Sequence, residues 1–220
     1  MAGSTERGEV DPGEARLIER MIVFSDAIFA FAVTLLVLDL KPPAGDLSEW
    51  RLETAIRVVT FATTFMIVAV FWVGHLATTR RMVHFGWGAL WVNLFFLCAI
   101  ALMPFGSSLL VSQLDPNESW RIYSYIIVAA SFAQTLLSIV LHSGGGRLVG
   151  GATTRDLLYR MLRGASPGLA FGAGLYAVEI GRLDLARWCW VLIFPILMIA
   201  ALFAPRKPKL AKPPKAARAR

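Results

Sequence analysis

At 220 residues, with 56% hydrophobic and 17% charged side chains and a mean hydropathy of +0.60, the chain carries more apolar surface than one water-soluble core of that length can hide. The same figures exclude a disordered chain, a collagen and a coiled coil, and two cysteines, Cys98 and Cys189, are too few for a disulfide-stapled scaffold. The net charge of +7 is concentrated in the last sixteen residues, seven of them basic, and no nucleic-acid-binding motif accompanies it, so nucleic acid is not an expected partner.

The first sixteen residues are small, polar and charged, and they lead into an apolar stretch too long for the core of a secretory signal, so we read a retained membrane helix. Six apolar runs follow: Met21 to Leu40, Ala55 to Ala77, Phe85 to Val111, Tyr123 to Leu141, Leu157 to Ile180 and Ala186 to Ala204. Each is long enough to cross about 30 Å of hydrocarbon at about 1.5 Å per residue. The expected fold is an all-α integral membrane protein with six transmembrane helices, in the order polar N-terminus (1–19), six-helix domain (20–204) and basic tail (205–220). The alternating strand pattern of a β-barrel is missing.

Lys and Arg positions set the expected orientation. With both termini in the cytoplasm, sixteen of the 22 basic residues fall on that side and six on the other, an asymmetry that an even number of spans permits. The proline-interrupted tail, PRKPKLAKPPKAARAR, is expected to be disordered; it reads either as a topology anchor or as an electrostatic attachment to anionic headgroups.

The first run, RMIVFSDAIFAFAVTLLVLDL, holds Arg20, Ser25 and Asp26 at or inside the membrane boundary, where a central charge costs about 2.5–3.5 kcal/mol. Asp26 therefore needs a partner. Arg20, six positions away, lies outside the i, i+3 and i+4 pairings, which leaves other helices. His75, on the same face as Trp72, and Asn93 are the polar candidates; together they suggest a hydrogen-bonded knot tying the first three helices, although an isolated Asn93 would also suit an ordinary interhelical bond. His84 reads as solvated near a loop. Phe24, Ile28, Phe31, Leu35 and Leu38 form one apolar stripe at spacings of three and four, either a packing seam or a pore lining, with Thr34 offering a hydroxyl beside Leu35.

Enzyme chemistry has little support. The three histidines show neither HExxH spacing nor zinc-ligand intervals to the cysteines, GxSxG and Walker loops are missing, and the glycine run Ser143 to Gly151 reads as a flexible loop. No cofactor and no tightly bound metal is expected.

Arg20, Phe24, Ser25 and Asp26 form R-x-x-x-F-S-D, which resembles the signature of the transmembrane protein 175 family of potassium channels. TLLVLDL (Thr34 to Leu40), FWVGHL (Phe71 to Leu76) and WVNLFFLCAIALMPF (Trp91 to Phe105) are similar to that family's pattern in the same order. The resemblance implies a six-helix unit with the first helix around a central pore, no TVGYG filter, and, for a single repeat, a homotetramer in a bacterial plasma membrane permeable to potassium ions. The family's apolar constriction then falls on Phe31, where isoleucine or leucine is usual, with Thr34 and Leu38 in the lower rings. A secondary transporter and a non-conducting membrane scaffold are the alternatives.

Overall fold

The computed structural model describes residues 12–40, 47–149 and 153–204; the basic tail lies outside them. The described residues form α1 (Pro12–Leu36), α2 (Leu47–Thr79), α3 (Trp87–Ala101), α4 (Met103–Leu110), α5 (Pro116–Gly146), α6 (Thr154–Glu179), α7 (Leu183–Ala186) and α8 (Ile193–Ala201). Short 3-10 turns cover Val37–Asp39, Arg147–Val149 and Cys189–Leu192. No strand occurs among the described residues.

Local chemistry places the helix starts. The Asp115 carboxylate accepts from the backbone N–H groups of Asn117 and Glu118 at 2.9 and 3.1 Å, and Pro116 occupies the first helical position, where its missing N–H costs nothing. Thr153 caps α6 by accepting from the Asp156 N–H at 3.2 Å. α5 and α6 pack most extensively because small residues face each other: a Cβ on Gly168 would sit 2.6 Å from the Cβ of Ser131.

Among the described residues three segments are long and apolar enough to cross a membrane: Thr54–Thr79, Trp87–Leu110 and Pro116–Ser143. Only 22% to 50% of each is buried within the chain, so the remaining apolar surface has lipid or another subunit as its solvent. The expected single third helix is divided at Leu102 into α3 and α4, with Pro104 in the first turn of α4.

Several expectations need correcting. The run Ala186 to Ala204 is not one helix: it passes from α7 through the 3-10 turn at Cys189–Leu192 into the short apolar α8. α1 ends at Leu36, which puts Leu38 in a 3-10 turn and off the α-helical lattice used to draw the stripe. The glycine run does not begin as a loop, since α5 continues to Gly146, whose φ of 75° terminates it.

The core has two parts. The larger surrounds Phe29, Phe71, Phe96 and Phe171; the smaller gathers Ile18, Met21, Met82, Leu137 and Leu141 at the α2–α3 connection.

Candidate functional site

α1 presents two unlike faces. Ile18, Met21, Ser25, Phe29, Ala32 and Leu36 recur at spacings of three and four and are buried against the rest of the chain. Roughly 100° around the helix, Phe31 is 64% exposed, Leu38 is 66% exposed, and Phe24 and Thr34 are exposed as well. Ile28 and Leu35, drawn in the same stripe from sequence, are half-buried at its margin. The Thr34 hydroxyl donates to the Phe31 carbonyl at 2.8 Å, leaving the oxygen lone pairs free on the exposed side.

Behind that face lies a directional chain of hydrogen bonds. Since the Asn93 Oδ1 can only accept, the His75 Nε2–H donates to it at 2.8 Å; the Asn93 amide donates to Ser25 Oγ at 3.0 Å; the Ser25 hydroxyl donates to the Met21 carbonyl at 2.8 Å. Ser25, His75 and Asn93 are each 1% exposed or less. The chain thus joins α1, α2 and α3. It is boxed in by aromatic rings: His75 stacks on Phe96 at 5.5 Å and 14°, Phe29 lies 5.8 Å from both, and Phe71 meets Phe96 edge-on at 6.0 Å. Linked by these bonds and packed among aromatic rings, the box holds one relative placement of the three helices.

Asp26 has a different partner from any sequence candidate. The Trp72 indole N–H donates to its Oδ1 at 3.0 Å, adding a second α1–α2 bond beside the knot. The i, i+3 spacing of Trp72 and His75 is what lets one face of α2 meet both Asp26 and Asn93. Arg20 is exposed and makes no ion pair among the described residues. His84 is not simply solvated: its Nδ1 lies 3.0 Å from Glu14 Oε2, linking the start of α1 to the α2–α3 connection.

Sequence reasoning missed the other attachments of α2. The Gln134 amide of α5 donates to the Phe71 carbonyl at 2.9 Å, and Tyr123 and Thr64 share a hydrogen bond of 2.8 Å. At the far end the Arg160 guanidinium donates to the Ala77 carbonyl, and Asp156 faces Arg81, Arg160 and His142. The spacing of Asp156 and Arg160, four positions apart, was the one signal available for this cluster. No group of metal-ligating side chains occurs among the described residues.

The profile of the family described as "Endosomal/lysosomal potassium channel TMEM175" matches residues 20–104, which contain α1 from Arg20 onward, the knot and the aromatic box. A potassium channel of Chamaesiphon minutus is 29% identical over 198 residues, covering 82% of this chain and 91% of that protein. Over residues 20–104 the chain resembles the TMEM175 family. A potassium channel of Streptomyces collinus is 26% identical over 127 residues, and one of Chryseobacterium is 27% identical over 124; the matches cover 59% and 64% of those proteins, so the chain spans less than two thirds of their length. The human endosomal/lysosomal proton channel TMEM175 is 27% identical over 138 residues, which is 27% of its length. The fold is that of the crystal structure of a lysosomal potassium-selective TMEM175 homologue from Chamaesiphon minutus, with a TM-score of 0.68 at 20% identity over 84% of this chain and 98% of that one.

Proposed function

We propose that the chain forms a potassium-permeable channel of the TMEM175 type: a homotetramer in a bacterial plasma membrane, each subunit crossing six times with both termini cytoplasmic. The single observation that carries this reading is the division of α1 into a face locked by the Ser25–Asn93–His75 chain and a face where Phe31, Thr34 and Leu38 stand exposed. Four such faces around an axis bury one another and enclose a pore. Phe31 forms its apolar collar, Thr34 supplies a ring of lone pairs one turn on, Leu38 continues the lining from the 3-10 turn, and Leu35 packs at the seam between subunits. The knot residues Ser25, Asp26, His75 and Asn93, with Trp72, orient that lining and do not touch the ion; Arg20 and Phe24 stand at its cytoplasmic entry.

The names of the bacterial relatives as potassium channels support potassium as the permeant ion. The basic asymmetry of the loops supports the topology. Selectivity in this reading comes from dehydration. A cation passing a collar of phenyl rings loses hydration worth many kcal/mol and gains about 0.5–2 kcal/mol from the ring faces, so the more weakly hydrated potassium passes more readily than sodium.

Purified protein in liposomes tests this. Potassium efflux driven by its own gradient, several-fold faster than sodium efflux, supports the channel. Flux of neither ion favours a scaffold, and flux that requires a co-transported ion favours a transporter.

A further inference from the structure

A cavity of about 550 Å³ lies along α2 toward its N-terminal end from the knot, between the first half of α2, the α4–α5 connection and the segment joining α6 to α8. Its floor is aromatic, made by Tyr123 and Phe171, and Ile56, Val59 and Leu114 extend it to the exposed surface of the bundle. Ser119 in its wall is 2% exposed and its hydroxyl has no hydrogen-bond partner in the chain. Arg187 and Trp190 stand at the mouth. Among the described residues no carboxylate lines the cavity and Arg187 is exposed with no ion pair, whereas its neighbour Arg182 is held by Asp184 at 3.0 Å. The volume is that of a small-molecule site. An apolar slot open to the hydrocarbon side, with indoles near its entrance and one uncompensated guanidinium, matches the two ends of a single kind of molecule.

We propose that this cavity holds one acyl chain of an anionic membrane phospholipid whose phosphate pairs with Arg187. The chain displaces no water-filled polar surface, since the walls are mostly apolar, and the guanidinium offers the phosphate two parallel donors. The site lies apart from the exposed face of α1, so the proposal stands whether or not the protein conducts.

Native mass spectrometry of the whole protein in detergent, titrated with phosphatidylglycerol or phosphatidylcholine, tests it. The parent retains up to one phosphatidylglycerol per subunit and binds phosphatidylcholine more weakly. Arg187→Gln lowers the phosphatidylglycerol affinity about fivefold and removes the preference between the two lipids. Val59→Trp, which fills the slot, lowers binding of both; Leu114→Trp does the same from the opposite wall and serves if the first variant does not fold. Equal binding of the two lipids by the parent, unchanged binding in Arg187→Gln, or unchanged binding in the slot-filling variant that folds would each overturn the proposal. So would a parent that binds neither lipid because a neighbouring subunit closes the slot.

Discussion

Asn93 is the one side chain that touches both of its neighbours in the knot, accepting from His75 and donating to Ser25. Replacing it by alanine strands the His75 N–H in an aromatic box and leaves Ser25 with only its bond to the Met21 carbonyl. Interhelical hydrogen bonds in membranes average about 0.6 kcal/mol with a maximum near 1.7, whereas a buried group left unpaired costs about 1–3. The second effect dominates here, because burial leaves His75 and Ser25 no water to turn to. Asn93→Ala is therefore expected to lose about 1–3 kcal/mol in detergent unfolding, and a double-mutant cycle with His75→Ala to return a coupling of at least about 0.6 kcal/mol. Zero coupling would mean that the pair does no work. Phe31 makes the converse case: it has no partner within the chain, so its truncation should leave stability within about 0.5 kcal/mol. Its effect appears in the current. Phe31→Ala and Phe31→Asn are expected to raise unitary conductance and blunt the preference for potassium over sodium, because a wider collar lets ions keep more water. Parent-like conductance and selectivity in both variants would remove Phe31 from the constriction.

At the scale of helices, α2 behaves as a strut fastened at several heights along its second half, to Tyr123 at Thr64 near its midpoint, to Gln134 at Phe71 and to Arg160 at Ala77 near its C-terminal end. The middle rung depends on a glycine: a Cβ on Gly74 would lie 2.7 Å from Gln134 Nε2, so alanine there pushes the amide off the Phe71 carbonyl. Gly74→Ala and Gln134→Leu should accordingly be non-additive, the double variant no less stable than the worse single. Strict additivity would show that the rung is not shared. Gly168→Ala is a harsher change, since its obstacle is the Ser131 Cβ and not a flexible tip, and a loss of about 1–3 kcal/mol is expected. Much at this scale was legible in the sequence. Apolar length and the polar gaps located the long helices, and Ser25, His75 and Asn93 stood out because polar side chains are few in apolar runs. What could not be read was partner choice between helices. The face that Trp72 shares with His75 was visible, but not that its indole N–H reaches Asp26, and Gln134 carried no signal of the carbonyl it reaches. Breaks inside apolar runs were hidden for a similar reason. Hydropathy sums over the Cys189–Leu192 turn and the start of α8 without registering the change of helix type.

Taken whole, the chain is a bundle whose buried polar groups gather toward the C-terminal end of α2, where His75 of the knot lies close in sequence to Ala77, whose carbonyl Arg160 reaches. The knot holds α1, α2 and α3; the cluster of Asp156, Arg81, Arg160 and His142 holds the end of α2 to α5 and α6. Among the described residues Asp156 is the sole carboxylate facing that cluster's cations, so Asp156→Ala leaves Arg160 buried without its counter-charge and is expected to cost about 3–5 kcal/mol, while the paired change Asp156→Leu with Arg160→Met costs less. Thermal denaturation of the three proteins checks the order; a double variant as damaged as Asp156→Ala alone would contradict it. The topology is equally open to test. In a background lacking Cys98 and Cys189, Ser112→Cys should react with an impermeant thiol reagent on intact cells and Thr153→Cys should not. Labelling of Thr153→Cys from outside would overturn the six-crossing arrangement.

The central claim is that the exposed face of α1 lines an ion path. Thr34 is the residue on that face small enough to replace by cysteine without reshaping it. In the same cysteine-free background, the decisive measurement is the potassium current of Thr34→Cys before and after a charged, membrane-impermeant thiol reagent. The account predicts an irreversible loss of most of the current, slowed when potassium is raised to occupy the pore. A current that persists after complete modification, verified by mass, would contradict it and turn the exposed face of α1 toward lipid.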